Sequence, residues 1–320
     1  MNGPPAFAPT ATADAAPVKS KSAKAPWQVW RDASGRLSVL RIATLAGLCV
    51  PVLIAAYDFA TVGFGARPLN NVIHRTGYWA LLFLMMALAI TPLRRIARFN
   101  LLVDVRRMIG VGAFAYAASH ITLFVADQTF DLWKAASEIV LRLYLTIGFV
   151  ALLGLAALAA TSTDGMVRRL GARRWQRLHS AIYAIGLLAL IHFFQQTKAD
   201  VWVPTFVAGL FGWMVGYRLL TKFRKSRDEP PSWMLLALSV ALSALTFVAE
   251  VVGIGLAFKV SPLIVLQMAF EFDLDAIRPG WLVLGAGLIV VVVDLVRSRL
   301  ARRKPSRAPK PSSGARPAKA

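Results

Sequence analysis

The stretch GYWALLFLMMALAI, from Gly77 to Ile90, contains no charged side chain. A second stretch, YLTIGFVALLGLAALAATST from Tyr144 to Thr163, is also free of charge. The hydrocarbon core of a bilayer is about 30 Å thick, and a helix needs roughly 20 apolar residues to cross it. These runs therefore predict membrane-spanning helices. The composition of the whole chain, 57% hydrophobic and 17% charged over 320 residues, agrees with that prediction.

Eight apolar segments of this kind follow one another along the chain, with short connections between them. They lie at about 42–60, 76–93, 108–126, 142–161, 178–195, 202–220, 233–257 and 280–296. The pattern predicts an all-α fold, a polytopic bundle of about eight transmembrane helices. The connection at 258–279 is the largest on its side, and its mixture of apolar and polar residues is typical of a helix lying on the membrane surface.

The net charge of +21 is concentrated on alternate connections between the spans. Few of the 37 Lys and Arg residues fall on the side opposite the termini. These are Arg67, Arg75, Lys134, Arg142, Lys198, Lys259 and Arg278. The alternation follows the positive-inside rule, so we expect both termini in the cytoplasm. Topology and contact with anionic lipid explain the basic charge, and a nucleic-acid partner is not predicted.

Both ends of the chain are rich in Ala, Pro, Lys and Arg or Ser. Residues 1–38 are predicted to form a disordered cytoplasmic tail, and residues 301–320 a second, basic disordered tail. Neither tail is long enough for a flavin or nicotinamide domain. The single cysteine, Cys49, excludes a disulfide framework, covalent attachment of haem in the c-type manner and an iron–sulfur cluster held by four thiolates.

The chain has four histidines, and those within apolar spans are the first candidates for a function, because an ionisable side chain in a membrane is expensive. His120 lies about 18 Å from the inner end of the third span, and His192 about 21 Å from the inner end of the fifth. Two imidazoles at similar depth on different helices could supply both axial ligands of a haem iron. A hydrogen bond to a neighbouring helix is the ordinary alternative for each.

His179 lies about 20 Å below His192 on the same predicted helix, near the cytoplasmic surface. Electrons crossing the bilayer would need groups at both depths. In a straight helix, however, the two imidazoles would be rotated by roughly 140° relative to each other. The fourth histidine, His74, precedes the second span and is predicted to be a solvated interfacial residue.

Three stretches resemble the MsrQ family (also called YedZ), the haem-binding membrane subunits of periplasmic methionine sulfoxide reductase systems. They are TGYWALLFLMMALAITPLRR from Thr76, RRMIGVGAFAYAASH from Arg106 to His120, and LAATSTDGMVRRLGARRWQRLHSAIYAIGLLALIH from Leu158 to His192. The resemblance covers about residues 40–220. Its most specific residues are Thr161, Ser162, Leu170, Gly171, Trp175, Leu178, His179 and Tyr183.

This resemblance implies a ferric-reductase-like transmembrane domain, here residues 39–222, with b-type haem held between histidines of two helices. The haem histidines of the family fall on His120, His179 and His192. Larger members of the superfamily carry a second histidine at the inner end of the third span, where this chain has Arg106 and Arg107. The resemblance also implies FMN, and electron transfer from the quinone pool to a periplasmic molybdenum-containing subunit, MsrP.

The two C-terminal spans, within residues 223–300, go beyond the usual length of the family. They could form a docking surface or additional packing. Glu250 in the seventh span is either a structural carboxylate with a partner or a residue with a quinone or proton role. Four arginines could bind haem propionates or an FMN phosphate, although topology alone explains them. These are Arg94, Arg95, Arg173 and Arg174.

Two other functions remain open from the sequence. The first is a ferric-reductase-type cytochrome that serves another partner, with a separate chain supplying the flavin and nicotinamide domain. The second is a transporter without haem, in which the histidines relay protons. Transporters often have internal repeats and interrupted helices at the midplane, and no repeat is found here. Purified protein without haem would favour the transporter.

Overall fold

A computed structural model describes residues 30–31, 35–197, 200–224, 229–268, 270 and 277–303. The described part is helical, apart from one isolated bridge between Arg31 and Leu37. Its helices are α1 (Val39–Thr61), α2 (Pro68–Ile96), α3 (Leu102–Asp127), α4 (Leu132–Leu141), α5 (Leu143–Ala160), α6 (Asp164–Leu170), α7 (Ala172–His179), α8 (Ile182–Gln196), α9 (Trp202–Phe223), α10 (Ser232–Phe258), α11 (Pro262–Met268) and α12 (Pro279–Arg303). The predicted all-α fold is confirmed.

Eight candidate spans in the described residues are long and apolar enough to cross a membrane, and they correspond to the eight predicted segments. The chain is therefore a multi-pass membrane protein. Below, the outer side is the side of the α1–α2 connection, and the inner side is the opposite one. Both predicted tails lie almost wholly outside the described residues, and so does most of the predicted interfacial segment after Met268.

The fifth span departs from the straight helix expected at 178–195. It begins earlier, at Ala172, and consists of α7 followed by α8. Between these helices the backbone hydrogen bonds shorten to a three-residue spacing, from the amide of Ala181 to the carbonyl of Leu178 and from that of Tyr183 to the carbonyl of Ser180. A tighter turn of this kind changes the direction in which the following side chains point.

Three short helices lie in the connections. On the outer side, α4 begins at Asp131, whose carboxylate accepts a hydrogen bond from the amide of Lys134. On the inner side, α6 begins at Thr163, whose hydroxyl accepts from the amide of Met166. Such caps satisfy the free amides of a first turn. Neither helix was predicted, because both are too short to form an apolar run; α11 lies in the connection where an interfacial helix was expected.

The most buried span is α2, which packs chiefly against α3 and also contacts α8, α9 and α12. Its buried side chains include Phe83, Leu84 and Leu88. A second antiparallel pair is formed by α5 and α8. The C-terminal helices α10 and α12 pack on each other and on α9, and α12 also contacts α2. Thus α3, which carries His120, lies against α2, and α8, which carries His192, lies against α5.

Candidate functional site

His120 lies on α3, and its imidazole is turned toward α2. The Nδ1 atom lies 2.8 Å from the carbonyl oxygen of Ile73. His192 lies on α8 and makes the corresponding contact with α5, where its Nδ1 atom lies 2.8 Å from the carbonyl oxygen of Tyr144. Each histidine is therefore bound to the backbone of the helix that packs beside it. Both imidazoles are half-buried in the outer part of the bundle.

The structure brings these two imidazoles together. The ring centroids of His120 and His192 are 6.3 Å apart, and the ring planes are inclined by 78°. The helices that carry them contact each other little, so the pair spans the space between the α2–α3 pair and the α5–α8 pair. The ring of Tyr144 is stacked against His192 at 6.4 Å, on the outer side of this space.

The hydrogen bonds define the tautomer of both rings. A carbonyl oxygen only accepts, so Nδ1 of each histidine carries the hydrogen and donates it. The other nitrogen, Nε2, then keeps its lone pair. In the described part of the chain, no group hydrogen-bonds Nε2 of His120 or of His192. Histidines that bind metals almost always donate their second N–H to such an oxygen, and both rings have this bond.

The separation of the rings fits one metal ion between them. A bond from a metal to an imidazole nitrogen is about 2 Å long, and the ring centroid lies about 1 Å farther, so two axial imidazoles have centroids roughly 6 Å apart. Among the described residues, no group of three or more His, Cys, Asp or Glu is placed to hold a metal ion. A pair of histidines without further protein ligands suits a metal that brings its own equatorial ligands, as haem iron does.

His179, at the end of α7, is in a different situation. Its Nδ1 atom lies 3.1 Å from the carbonyl oxygen of Trp175, and its Nε2 atom lies 3.3 Å from the hydroxyl of Ser162. The indole of Trp175 is stacked on the imidazole at 3.8 Å and donates from Nε1 to the carbonyl of Thr161. Both nitrogens of His179 thus have protein contacts. The structure does not bring this residue to His120 or His192.

Arginine side chains of α3 and α9 lie at the inner end of the bundle. The guanidinium of Arg218 donates to the hydroxyl of Thr91 (3.0 Å) and lies over the ring of Tyr183, while its Nε atom is buried without a hydrogen bond. Arg106 is half-buried, and Arg107 pairs with Asp164. These groups favour negative charge at the inner end. The remaining histidine, His74, is exposed, but it lies within α2 and not in the connection before the second span where it was expected.

Comparison with known proteins connects this geometry to two descriptions. Residues 76–190 match the family described as "Ferric reductase like transmembrane component", a segment that includes His120 and His179. The haem-binding subunit MsrQ of protein-methionine-sulfoxide reductase from Xanthomonas campestris (strain 8004) is 41% identical over 202 residues, 60% of this chain and 92% of that relative. The chain belongs to the MsrQ family.

Other MsrQ relatives show the same coverage. The subunit from Rhodospirillum rubrum is 37% identical over 189 residues, 59% of this chain and 91% of that protein. The one from Xanthomonas axonopodis is 40% identical over 208 residues, 61% of this chain and 95% of that protein. This chain is therefore longer than these MsrQ proteins. No solved structure matches it.

Sequence reasoning did not find the groups that orient the two outer imidazoles. These are the carbonyl oxygens of Ile73 and Tyr144. A backbone carbonyl is common to all residues, so no residue type indicates it. By contrast, several of the residues that carried the MsrQ resemblance do meet in space, since Thr161, Ser162, Trp175 and His179 form one contact group.

Proposed function

We propose that this protein is a haem b electron-transfer subunit in the inner membrane, with both termini in the cytoplasm. It would pass electrons from the quinone pool, directly or through FMN, to a periplasmic molybdenum-containing subunit, MsrP. That subunit would use them to repair oxidised methionine in periplasmic proteins. Residues 39–222 would form the haem-binding domain, and residues 223–300 would add two helices to it.

The observation that carries the proposal is the paired state of His120 and His192. Each donates Nδ1–H to a backbone carbonyl, and each keeps the lone pair of Nε2 for an external ligand. Their centroid separation of 6.3 Å leaves room for both rings to hold the iron of one haem. Haem, when bound, supplies one-electron chemistry, while the protein provides ligands, orientation and an apolar surrounding that tune the potential.

His179 is the candidate ligand of a second, inner site. Because its Nε2 atom contacts the hydroxyl of Ser162, coordination there would require that contact to be replaced. The arginines at the inner end would stabilise the carboxylates of haem or the phosphate of FMN. Electrons entering from the inner side would then pass two redox sites, an inner one near His179 and an outer one between His120 and His192.

The test is a visible spectrum of the full chain in mild detergent, before and after reduction with dithionite. We expect a Soret band that shifts on reduction, with sharp α and β bands, and loss of most of that signal in His120→Ala and His192→Ala. His74→Ala is the comparison variant and should keep the haem bands, because the imidazole of His74 is exposed, although it lies near both rings. A smaller loss in His179→Ala would locate the second site.

The same samples test the direction of electron transfer. Reduced wild-type protein should be fully reoxidised by a catalytic amount of MsrP with excess methionine sulfoxide, and not by methionine sulfoxide alone. Wild-type protein that is colourless after growth with sufficient haem would contradict the proposal. It would favour a transporter in which the histidines relay protons.

A further inference from the structure

The two outer histidines are held by the same local arrangement on two different helices. His120 binds the carbonyl oxygen of Ile73, and the residue four positions later on α2 is Gly77. His192 binds the carbonyl oxygen of Tyr144, and the residue four positions later on α5 is Gly148. Each imidazole also lies directly against that glycine.

The spacing of four has a physical reason. In an α-helix, the carbonyl of one residue accepts the N–H of the residue four positions later. The Cβ atom of that later residue points back toward the start of the helix, beside the same carbonyl. A side chain there would cover the carbonyl oxygen from the side. Glycine leaves it open to a second donor, which here is the Nδ1–H of a histidine on the neighbouring helix.

The distances show how closely the imidazoles fill this space. A Cβ atom added to Gly148 would lie 2.7 Å from Nδ1, 2.9 Å from Cε1 and 3.0 Å from Cγ of His192. At Gly77 it would lie 3.0 Å from both Cε1 and Nδ1 of His120. Non-bonded carbon atoms prefer about 3.5–4.0 Å, so a methyl group at either position would push the ring off its carbonyl. The displacement would be larger at Gly148.

We propose that Gly77 and Gly148 are positioning residues for His120 and His192. Each keeps one carbonyl open so that Nδ1–H is bound and Nε2 points into the space between the helix pairs. The part of this inference that concerns haem depends on the proposed function, whereas the contact between glycine and histidine does not. Without the carbonyl bond, Nε2 of the imidazole would be a weaker electron donor to a bound haem, and the midpoint potential would rise.

The same helices provide matched controls. A Cβ atom at Gly154 of α5 would lie 2.8 Å from Cγ1 of Ile185, so Gly154→Ala disturbs packing on the helix of Gly148 without touching a histidine. A Cβ atom at Gly110 of α3 would meet no atom within 4 Å. Gly110→Ala therefore measures the effect of the substitution on a helix without any steric conflict.

The experiment measures haem retention against excess apomyoglobin, the midpoint potential and the thermal midpoint for all four variants of the full chain. We expect Gly148→Ala to lose haem about tenfold faster than wild type or more, with a raised potential. Gly77→Ala should change the rate of haem loss and the midpoint potential in the same direction as Gly148→Ala, but by a smaller amount. Gly154→Ala should lower the thermal midpoint at unchanged potential, and Gly110→Ala should change neither. Equal potentials in Gly148→Ala and Gly154→Ala would overturn the proposal.

A second measurement separates this proposal from the proposed function. In protein labelled with ¹⁵N-histidine, His192 should show a protonated, hydrogen-bonded Nδ1, and its signals should move in Gly148→Ala but not in Gly154→Ala. If wild-type protein is colourless, the haem function fails and this measurement still decides the role of the glycine. His192 signals that do not move in Gly148→Ala would overturn the proposal in either case.

Discussion

The histidine-bearing helices and the C-terminal helices α9, α10 and α12 both place polar groups inside the bundle. The two regions differ in how many hydrogen bonds the protein itself provides to those groups. In the C-terminal helices, the indole Nε1 of Trp213 donates to the hydroxyl of Ser239 (3.0 Å), and the hydroxyl of Ser243 donates to the carbonyl of Gly280 (2.9 Å). At the two outer histidines, only Nδ1 is bound by the protein. Packing alone accounts for a polar group that is fully bonded within the protein, whereas a nitrogen left unbonded needs a further explanation, such as a ligand.

Glycines show the same contrast. A Cβ atom added to Gly287 of α12 would collide with the hydroxyl oxygen of Ser239, and one added to Gly280 would meet the ring of Phe247 at 2.5 Å. Small residues of this kind let helices approach closely in a membrane, where burial from water does not drive their association. On α2 and α5, the space beside Gly77 and Gly148 is filled by imidazoles instead. The neighbour of a glycine, rather than the glycine itself, indicates its role.

The strongest test of this contrast is Glu250, which pairs with Arg278 at 3.2 Å and has only 4% of its side chain exposed. Removing one partner of a buried ion pair costs about 3–5 kcal/mol, because the other charge is left uncompensated. We expect Glu250→Gln to lower the unfolding free energy by about 3 kcal/mol, with an unchanged haem spectrum and potential. Thermal unfolding in detergent measures the first effect.

Glu138→Gln is the control for this substitution. Glu138 pairs with Arg142 at a more exposed position, and such pairs contribute about 0–1 kcal/mol. A changed potential or slower reduction in Glu250→Gln, at unchanged stability, would show that the carboxylate has a quinone or proton role. The contrast between the histidine-bearing helices and the C-terminal helices would then not hold at Glu250.

A smaller effect is expected at Gly287. The added methyl group in Gly287→Ala conflicts with Ser239, and overpacking of this kind costs about 1–3 kcal/mol. Gly285→Ala on the same helix meets no atom within 4 Å and should be neutral or slightly stabilising. Both variants should keep the wild-type spectrum. A shifted Soret band in Gly287→Ala would mean that the C-terminal helices act on the haem site, contrary to the comparison.

The smallest effect on stability is expected when a tryptophan in each region is replaced by phenylalanine. Trp213→Phe and Trp175→Phe each remove an indole hydrogen bond, to Ser239 or to the carbonyl of Thr161, and should each cost about 1 kcal/mol. Only Trp175→Phe should also alter the reduced spectrum, because its ring is stacked on His179. Identical spectra for the two variants would show that the Trp175 indole does not influence a haem at His179.

Local sequence was sufficient where one physical requirement acts on each segment separately. The apolar length needed to cross a bilayer located all eight spans. It did not locate α4 or α6, which begin at single capping residues, Asp131 and Thr163. The apolar pattern also did not predict the turn between α7 and α8, which is formed by backbone hydrogen bonds within four residues of Ser180.

For the site, the sequence identified the histidines and placed two of them at similar depth. It left open which of them face each other, because that depends on how each helix is rotated about its axis.

The sequence by itself thus determined an all-α membrane bundle, its eight spans and the residue types available for a cofactor. The tertiary structure decided which of these residues meet. His120 and His192 bind carbonyl groups 47 and 48 residues away in the chain, and Arg278 reaches Glu250 across 28. The physical reason is that hydropathy is a property of each segment alone, whereas the rotation and approach of helices depend on the side chains of their neighbours. The two glycines that admit the imidazoles become recognisable only when those neighbours are in place.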